Sequence, residues 1–107
     1  MFGFGKSFSL TAEEFESKAA AGAHIIDVRT PQEFKQGHIK GASNIPLATV
    51  PMHLNELYQY KDKNEDILLY CHPGARSAQA CYFLIKNNFT QVFDLKGGVG
   101  HWRGKLV

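Results

Sequence analysis

The chain alternates short apolar runs with segments of helical periodicity, which is the pattern of an α/β layered fold. The clearest predicted strand is Asp66–Tyr70, a run that ends directly before Cys71. Buried strands are also predicted at His24–Val28 and Gln91–Leu95, with a short strand around Asn44–Ile45. Strands and helical segments follow one another along the whole chain, so the pattern indicates a single α/β domain.

Two helices are predicted to begin at capping boxes, in which a threonine and a glutamate three residues later bond each other's backbone N–H. Thr11–Glu14 opens a helix that is expected to reach about Ala21 before Gly22 stops it. Thr30–Glu33 opens a second helix, with a proline suited to its first position, and Gly37 ends this helix soon afterwards.

Two further helices are predicted from apolar residues at three- and four-residue steps. One runs from Pro51 to about Tyr60, and the other from Ser77 to about Asn87. Cys81 lies on the apolar face of the second helix, so we interpret it as a core residue and not as a second thiol of a reactive pair.

The composition fits one small domain that needs no disulfide or metal cross-link, because 107 residues with 44% hydrophobic content suffice for one core. We expect a single domain over residues 1–107, with its core at about 8–102. The net charge is +2 and no basic block is present, so nothing supports nucleic-acid binding.

The N-terminal residues 1–10 contain three phenylalanines but are broken by glycines and a lysine. They offer neither a secretory apolar core nor a membrane-spanning stretch, so we expect no membrane partner and a cytoplasmic location. Cys71 and Cys81 are the two cysteines of the chain, and both are expected to be reduced.

The candidate chemistry lies in residues 70–77, which pass from a strand end through a short loop to a helix start. Ligands collect at such places in open α/β sheets. Backbone N–H groups there lack intrahelical partners, so they can surround an anion, and a thiolate at Cys71 would be that anion. The helix dipole and Arg76 both favour the charged sulfur. We therefore expect Cys71 to be a nucleophile, exposed enough to meet a substrate.

Other residues of this loop are expected to shape the anion cradle. Gly74 permits backbone angles that a side chain would obstruct, and Pro73 stiffens the loop. Ser77 can cap the following helix or donate a hydrogen bond inward. The loop would therefore be formed before any substrate arrives.

The loop resembles the active-site loop of rhodanese-like domains, and similar motifs lie on both sides of it. The downstream motif, Leu95-Lys96-Gly97-Gly98 followed by Trp102, looks like the family's closing signature. The upstream motifs resemble the family's first signature: Asp27-Val28-Arg29, Glu33-Phe34, Gly37-His38-Ile39, Gly41-Ala42 and Asn44-Ile45-Pro46. The resemblance covers about residues 8–102 in the expected order.

This resemblance implies a three-layer α/β/α fold with a central, mainly parallel sheet of about five strands. It implies that Cys71 accepts sulfane sulfur from a small anionic donor such as thiosulfate. The sulfur would then pass to cyanide or to a thiol, including a thiol-bearing protein. Arg76 would steer the donor, and backbone N–H groups of the loop would stabilise the persulfide. The expected binding residues are His72, Gly74, Ala75, Arg76 and Ser77, with no metal or organic cofactor.

One position departs from the pattern of the family's thiosulfate enzymes, which tend to carry a second basic residue just after the cysteine. Here that position is His72, which would attract a dianion less strongly than arginine. Sulfur transfer therefore does not depend on thiosulfate, and a protein-bound persulfide is an alternative donor.

Two other functions stay open. Phosphatases and arsenate reductases use a similar loop with one more residue between cysteine and arginine, whereas only residues 72–75 separate Cys71 from Arg76 here. The shorter loop favours a single extra sulfur over a tetrahedral oxyanion. Rhodanese-like domains can also serve as non-catalytic modules that bind partners, because fold does not settle function.

The remaining polar residues have structural interpretations. Asp27 and Arg29, with Glu33, could form an ion-pair network beneath the site, and we expect them to brace the chain after the strand. The histidines at positions 24, 38, 53 and 101 show no paired metal-ligand spacing.

Overall fold

The computed structural model describes residues 8–72 and 75–107. In these residues five strands form one parallel sheet: β1 Ser9–Leu10, β2 His24–Asp27, β3 Ser43–Asn44, β4 Ile67–Tyr70 and β5 Val92–Leu95. The helices are α1 Ala12–Ala20, α2 Pro31–Gln36, α3 Leu54–Asp62 and α4 Ala75–Lys86, with 3-10 segments at Leu47–His53 and Val99–His101. The expected α/β/α architecture with five parallel strands is confirmed.

The sheet order is β1-β5-β4-β2-β3, so the strand that precedes Cys71 lies in the centre. Leu69 of β4 pairs with Ile26 of β2 on one side and with Asp94 of β5 on the other. All four β4 residues are buried, because helices cover both faces of a parallel sheet. The C-terminal end of this buried strand therefore fixes the position of Cys71.

Each face of the sheet has its own apolar cluster. On one face α3 and α4 contribute Leu57, Ala80 and Leu84, packed with Ile67 and Leu69. On the other face a cluster forms around Phe15 of α1, with these further buried residues: Ile39, Leu68, Tyr70 and Leu95. Successive residues of β4 belong to opposite clusters, as the two-residue period of a strand requires.

Both predicted capping boxes are present. The Thr11 hydroxyl accepts from the Glu14 backbone N–H at 3.2 Å, and the Glu14 carboxylate accepts from the Thr11 N–H at 2.9 Å. Thr30 and Glu33 repeat the arrangement at 3.2 and 3.0 Å. These caps satisfy backbone donors that have no partner inside the helix, and they fix where α1 and α2 begin.

The predicted start of the third helix at Pro51 is wrong. Pro51 lies inside the 3-10 segment Leu47–His53, and α3 begins at Leu54. Proline has no backbone N–H, so the chain turns through a short 3-10 helix before regular α-helical bonding begins.

Two pairings at the ends of the chain are missing from the sequence interpretation. β1 has only two residues, too few for a recognisable alternation, and it pairs with β5. Leu106 forms an isolated antiparallel bridge with Ile39, so the packed structure continues beyond residue 102. No helix among the described residues has the length and apolar character to span a membrane.

Candidate functional site

Cys71 follows β4 directly, and its backbone carbonyl accepts a 2.7 Å hydrogen bond from Val99. Its side chain is completely buried, with 0% relative exposure. The expectation that Cys71 is exposed is therefore wrong: the sulfur belongs to the apolar cluster on the α4 face. A substrate reaches this sulfur only if groups that cover it are displaced.

Among the described residues, the start of α4 supplies polar contacts to the sulfur. The Ser77 backbone N–H donates to Cys71 Sγ at 3.2 Å, and the Ser77 hydroxyl oxygen lies 3.4 Å from the same sulfur. α4 begins at Ala75, so Ser77 is its third residue and does not cap it. The Ser77 hydroxyl instead donates inward, to Asp94 at 3.1 Å. A backbone N–H from the first turn of a helix favours negative charge on the sulfur.

Arg76 is held by a carboxylate from another element. Its guanidinium donates to both oxygens of Glu33, at 2.8 and 3.1 Å, and to the His72 carbonyl at 2.9 Å. This pair lowers the pKa of Glu33 to about 2, with help from hydrogen bonds of Thr30. The Glu33 bond also raises the pKa of Arg76. An anionic ligand at the loop would therefore compete with Glu33 for Arg76.

Asp27 and Arg29 form a separate buried ion pair. Arg29 Nη2 donates to Asp27 Oδ2 at 2.7 Å and to the Gly37 carbonyl oxygen at 2.6 Å. The guanidinium also lies over the Tyr70 ring, 5.5 Å from its centroid. The hydrogen bond to Asp27 raises the pKa of Arg29. These contacts tie the ends of β2 and β4 to the residue that follows α2. Glu33, which the sequence grouped with this pair, contacts Arg76 instead.

The other predicted binding residues are placed at the surface or outside the described residues. His72 and Ala75 are exposed on either side of residues 73–74. The expectations for Pro73 and Gly74 fall on those two residues and lie outside the described part of the chain. The His72 ring packs beside Gly100, where an added Cβ would lie 3.5 Å from His72 Cε1.

A buried carboxyl group near the sulfur is missing from the sequence interpretation. Asp94 on β5 is 2% exposed, and its Oδ2 accepts from the Ser77 hydroxyl at 3.1 Å. Its signal in the sequence is a single acidic residue inside the apolar strand Val92–Leu95. Such a residue in a central strand requires polar partners, but the sequence does not reveal that the partner is Ser77.

Cys81 is buried in the core, as predicted, and burial raises the pKa of its thiol. Both cysteines are free thiols. Within residues 8–72 and 75–107, no group of His, Cys, Asp and Glu side chains is arranged to hold a metal ion.

A family model of the rhodanese-like domain matches residues 11–105, which include the strand, the cysteine and the helix described above. The chain belongs to the rhodanese-like domain family. The rhodanese-like match covers nearly the whole chain, so the site around Cys71 lies within it.

Relatives of this rhodanese-like chain include named sulfurtransferases. A sulfurtransferase of Allochromatium vinosum is 37% identical over 73% of this chain and 69% of its own length. The thiosulfate sulfurtransferase PspE of Escherichia coli is 35% identical over 88% of each chain. The solved structure of human single-domain sulfurtransferase TSTD1 is 25% identical, with a TM-score of 0.76 over 91% of this chain and 96% of that one. The chain is thus a rhodanese-like domain with sulfurtransferase homologues.

Proposed function

We propose that this protein is a sulfurtransferase that carries sulfane sulfur on Cys71 as a persulfide. The observation that carries the proposal is the placement of Cys71 Sγ at the start of α4, 3.2 Å from the Ser77 backbone N–H. A helix start stabilises an anionic sulfur, and a thiolate is the nucleophilic form of cysteine. Relatives that are named sulfurtransferases support the same reaction class.

The first step would be attack of the Cys71 thiolate on the outer sulfur of a donor such as thiosulfate. A bond forms between Cys71 Sγ and that sulfur, the S–S bond of thiosulfate breaks, and sulfite leaves with the bonding electron pair. The Ser77 N–H and other backbone donors of the loop would stabilise the charge on the persulfide.

In the second step a thiolate or cyanide would attack the terminal sulfur of the persulfide. The bond between that sulfur and Cys71 breaks, and its electron pair returns to Cys71 as a thiolate. The donor supplies the sulfur, the acceptor removes it, and Cys71 returns to the thiolate with which it began. The two half-reactions therefore require no redox cofactor. Each product leaves before the next substrate binds, which predicts ping-pong kinetics.

Arg76 is the residue proposed to attract an anionic donor. Arg76 lies on α4 directly before Ser77, and the donor would replace part of its contact with Glu33. The position directly after Cys71 holds His72 and not a second permanent cation. Thiosulfate is therefore one candidate donor, and a protein-bound persulfide is another. A transfer between two proteins would place the exposed His72 and Ala75 at the contact.

A non-catalytic binding module is the second candidate function, and the complete burial of Cys71 favours it. The two functions differ in what the sulfur does. A module would keep Cys71 as an inert core thiol, whereas a carrier must bring it into contact with donor and acceptor.

Steady-state kinetics with thiosulfate and cyanide, or with a thiol acceptor, test the proposal. Cys71→Ser is expected to abolish turnover, while Cys81→Ser, which alters the other buried thiol, should retain it. Initial rates at several concentrations of both substrates should give parallel double-reciprocal lines. Equal turnover by the wild type and Cys71→Ser would reject Cys71 as the carrier.

A further inference from the structure

A buried carboxyl group lies beneath the proposed nucleophile and has no part in the sulfur transfer described above. Asp94 lies on β5 and is 2% exposed. Its Oδ1 accepts from the Ser9 hydroxyl at 2.6 Å, and its Oδ2 accepts from the Ser77 hydroxyl at 3.1 Å. The Ser9 and Ser77 donors are both hydroxyl groups, so neither of them neutralises a negative charge on Asp94.

The chain of contacts continues from Ser77 to the sulfur. The Ser77 hydroxyl oxygen lies 3.4 Å from Cys71 Sγ, and the Ser77 and Cys71 side chains are each 0% exposed. A buried acid, a buried hydroxyl and a buried thiol therefore follow one another without bulk water between them. Groups joined in this way titrate as a unit, and their protonation states depend on each other.

The proton of the Ser77 hydroxyl can lie toward Asp94 or toward Cys71, and we compare these two arrangements. In the first, Asp94 is a carboxylate, the Ser77 O–H donates to it, and the Cys71 S–H donates to the Ser77 oxygen. In the second, the thiol proton has moved to the Ser77 oxygen and the former hydroxyl proton to Asp94. The Asp94 O–H then donates to Ser77, whose hydroxyl donates to the thiolate. One S–H bond is replaced by one O–H bond, and the net charge stays the same.

We propose that Asp94 is a positioning residue that couples its own protonation to that of Cys71 through the Ser77 hydroxyl. A protonated Asp94 directs this hydroxyl to the sulfur and favours the thiolate. An ionised Asp94 draws the hydroxyl to itself, adds a like charge near the sulfur and favours the thiol. The inference rests on the proposed function only in taking Cys71 as the nucleophile.

The surroundings of Asp94 fit this role. Burial raises the pKa of Asp94, although the hydrogen bonds from Ser9 and Ser77 oppose the shift. The pKa of Cys81 on α4 is raised by burial, with smaller contributions from the charges of Asp94 and Cys71. At the outer side, the Arg76 guanidinium interacts with Cys71 but is paired with Glu33. Cys81 is therefore a neutral thiol, and Arg76 is a cation that is already paired with a carboxylate.

Asp94→Asn imitates the protonated acid. The asparagine carbonyl can accept from Ser9, and its NH2 group can only donate to Ser77, which leaves the Ser77 hydroxyl proton available to the sulfur. The pH midpoint of Cys71 alkylation by iodoacetamide should therefore fall by about 0.5–1 unit relative to the wild type. Thermal melting of each variant verifies that it is folded. An asparagine that only weakened packing would lower the melting temperature but would not lower the pH midpoint of alkylation.

Ser77→Ala separates coupling through the hydroxyl from a direct effect of charge. In the Ser77→Ala background, adding Asp94→Asn should shift the alkylation midpoint by less than half of the shift seen with Ser77 present. Equal shifts in both backgrounds would overturn the proposal, and so would an unchanged or higher midpoint in Asp94→Asn.

If Ser77→Ala fails to fold, a spectroscopic measurement replaces the comparison of Asp94→Asn in the two backgrounds. The 13C resonance of the Asp94 carboxyl should move at the pH at which Cys71 ionises, and this step should be absent in Cys71→Ala. No step in the wild type would overturn the proposal. These readouts require no sulfur donor, so a chain that shows the coupling but forms no persulfide would reject the proposed function and retain this inference.

Discussion

Replacing Glu33 by glutamine removes the charge that holds Arg76 while preserving the size of the side chain. Glu33 contacts Arg76 through two hydrogen bonds, and both side chains are about one-third exposed, at 34% and 31%. Pairs with this degree of exposure contribute about 0.2–1 kcal/mol. Because Arg76 would then be available to an incoming anion, we expect anionic reagents to react faster with Cys71 in Glu33→Gln, by up to about fivefold.

Alkylation measures this effect without any assumption about the sulfur donor. Iodoacetate carries a carboxylate and iodoacetamide is neutral, so the ratio of their rates at Cys71 reports the attraction of the loop for an anion. This ratio should rise in Glu33→Gln. High salt should reduce the difference from the wild type, because exposed charges are screened.

The chain supplies a matched control at its other capping box. Glu14 accepts from the Thr11 N–H as Glu33 accepts from the Thr30 N–H, and Glu14 is not the partner of Arg76. Glu14→Gln should therefore leave the ratio of alkylation rates unchanged. A ratio that falls in Glu33→Gln would contradict this competition, because Glu33 would then hold Arg76 in the orientation that attracts anions.

Three further predictions concern the charged groups of the site. Arg76→Ala should lower kcat/KM for anionic donors more than for neutral ones, and equal losses in both assays would remove its steering role. Glu33 has its pKa lowered to about 2, so its stabilising effect is present above the ordinary value of 4.5 and disappears as pH falls toward 2. Urea denaturation should accordingly show wild type more stable than Glu33→Gln at pH 7 by about 1 kcal/mol or less, with the difference shrinking below pH 4. Arg29→Met leaves the Asp27 carboxylate buried without its partner and should cost about 3–5 kcal/mol in the same assay, whereas a loss under 1 kcal/mol would contradict the bracing role.

Local signals in the sequence were sufficient to predict most of the elements. Both threonine capping boxes lie within four residues of sequence, so their chemistry is readable before any tertiary contact is known. The strand Ile67–Tyr70 is apolar at every position because both of its faces are covered, which makes it recognisable and places Cys71 at its end.

Contacts between distant residues could not be predicted in the same way. Glu33 and Arg76 are 43 positions apart, and Ser9 and Asp94 are 85 apart. Nothing local distinguishes Glu33, a capping residue that also holds Arg76, from the capping residue Glu14. The burial of Cys71 was missed for a related reason: a loop cysteine has no apolar periodicity that would reveal its packing against the α4 face.

Mass spectrometry of the protein after incubation with a sulfane donor shows directly whether Cys71 carries sulfur. We expect a gain of one sulfur, about 32 mass units, on the peptide that contains Cys71. Cys81→Ser should show the same gain, and dithiothreitol or cyanide should remove it. No adduct on Cys71 with thiosulfate or with a persulfide donor would contradict the proposed carrier role.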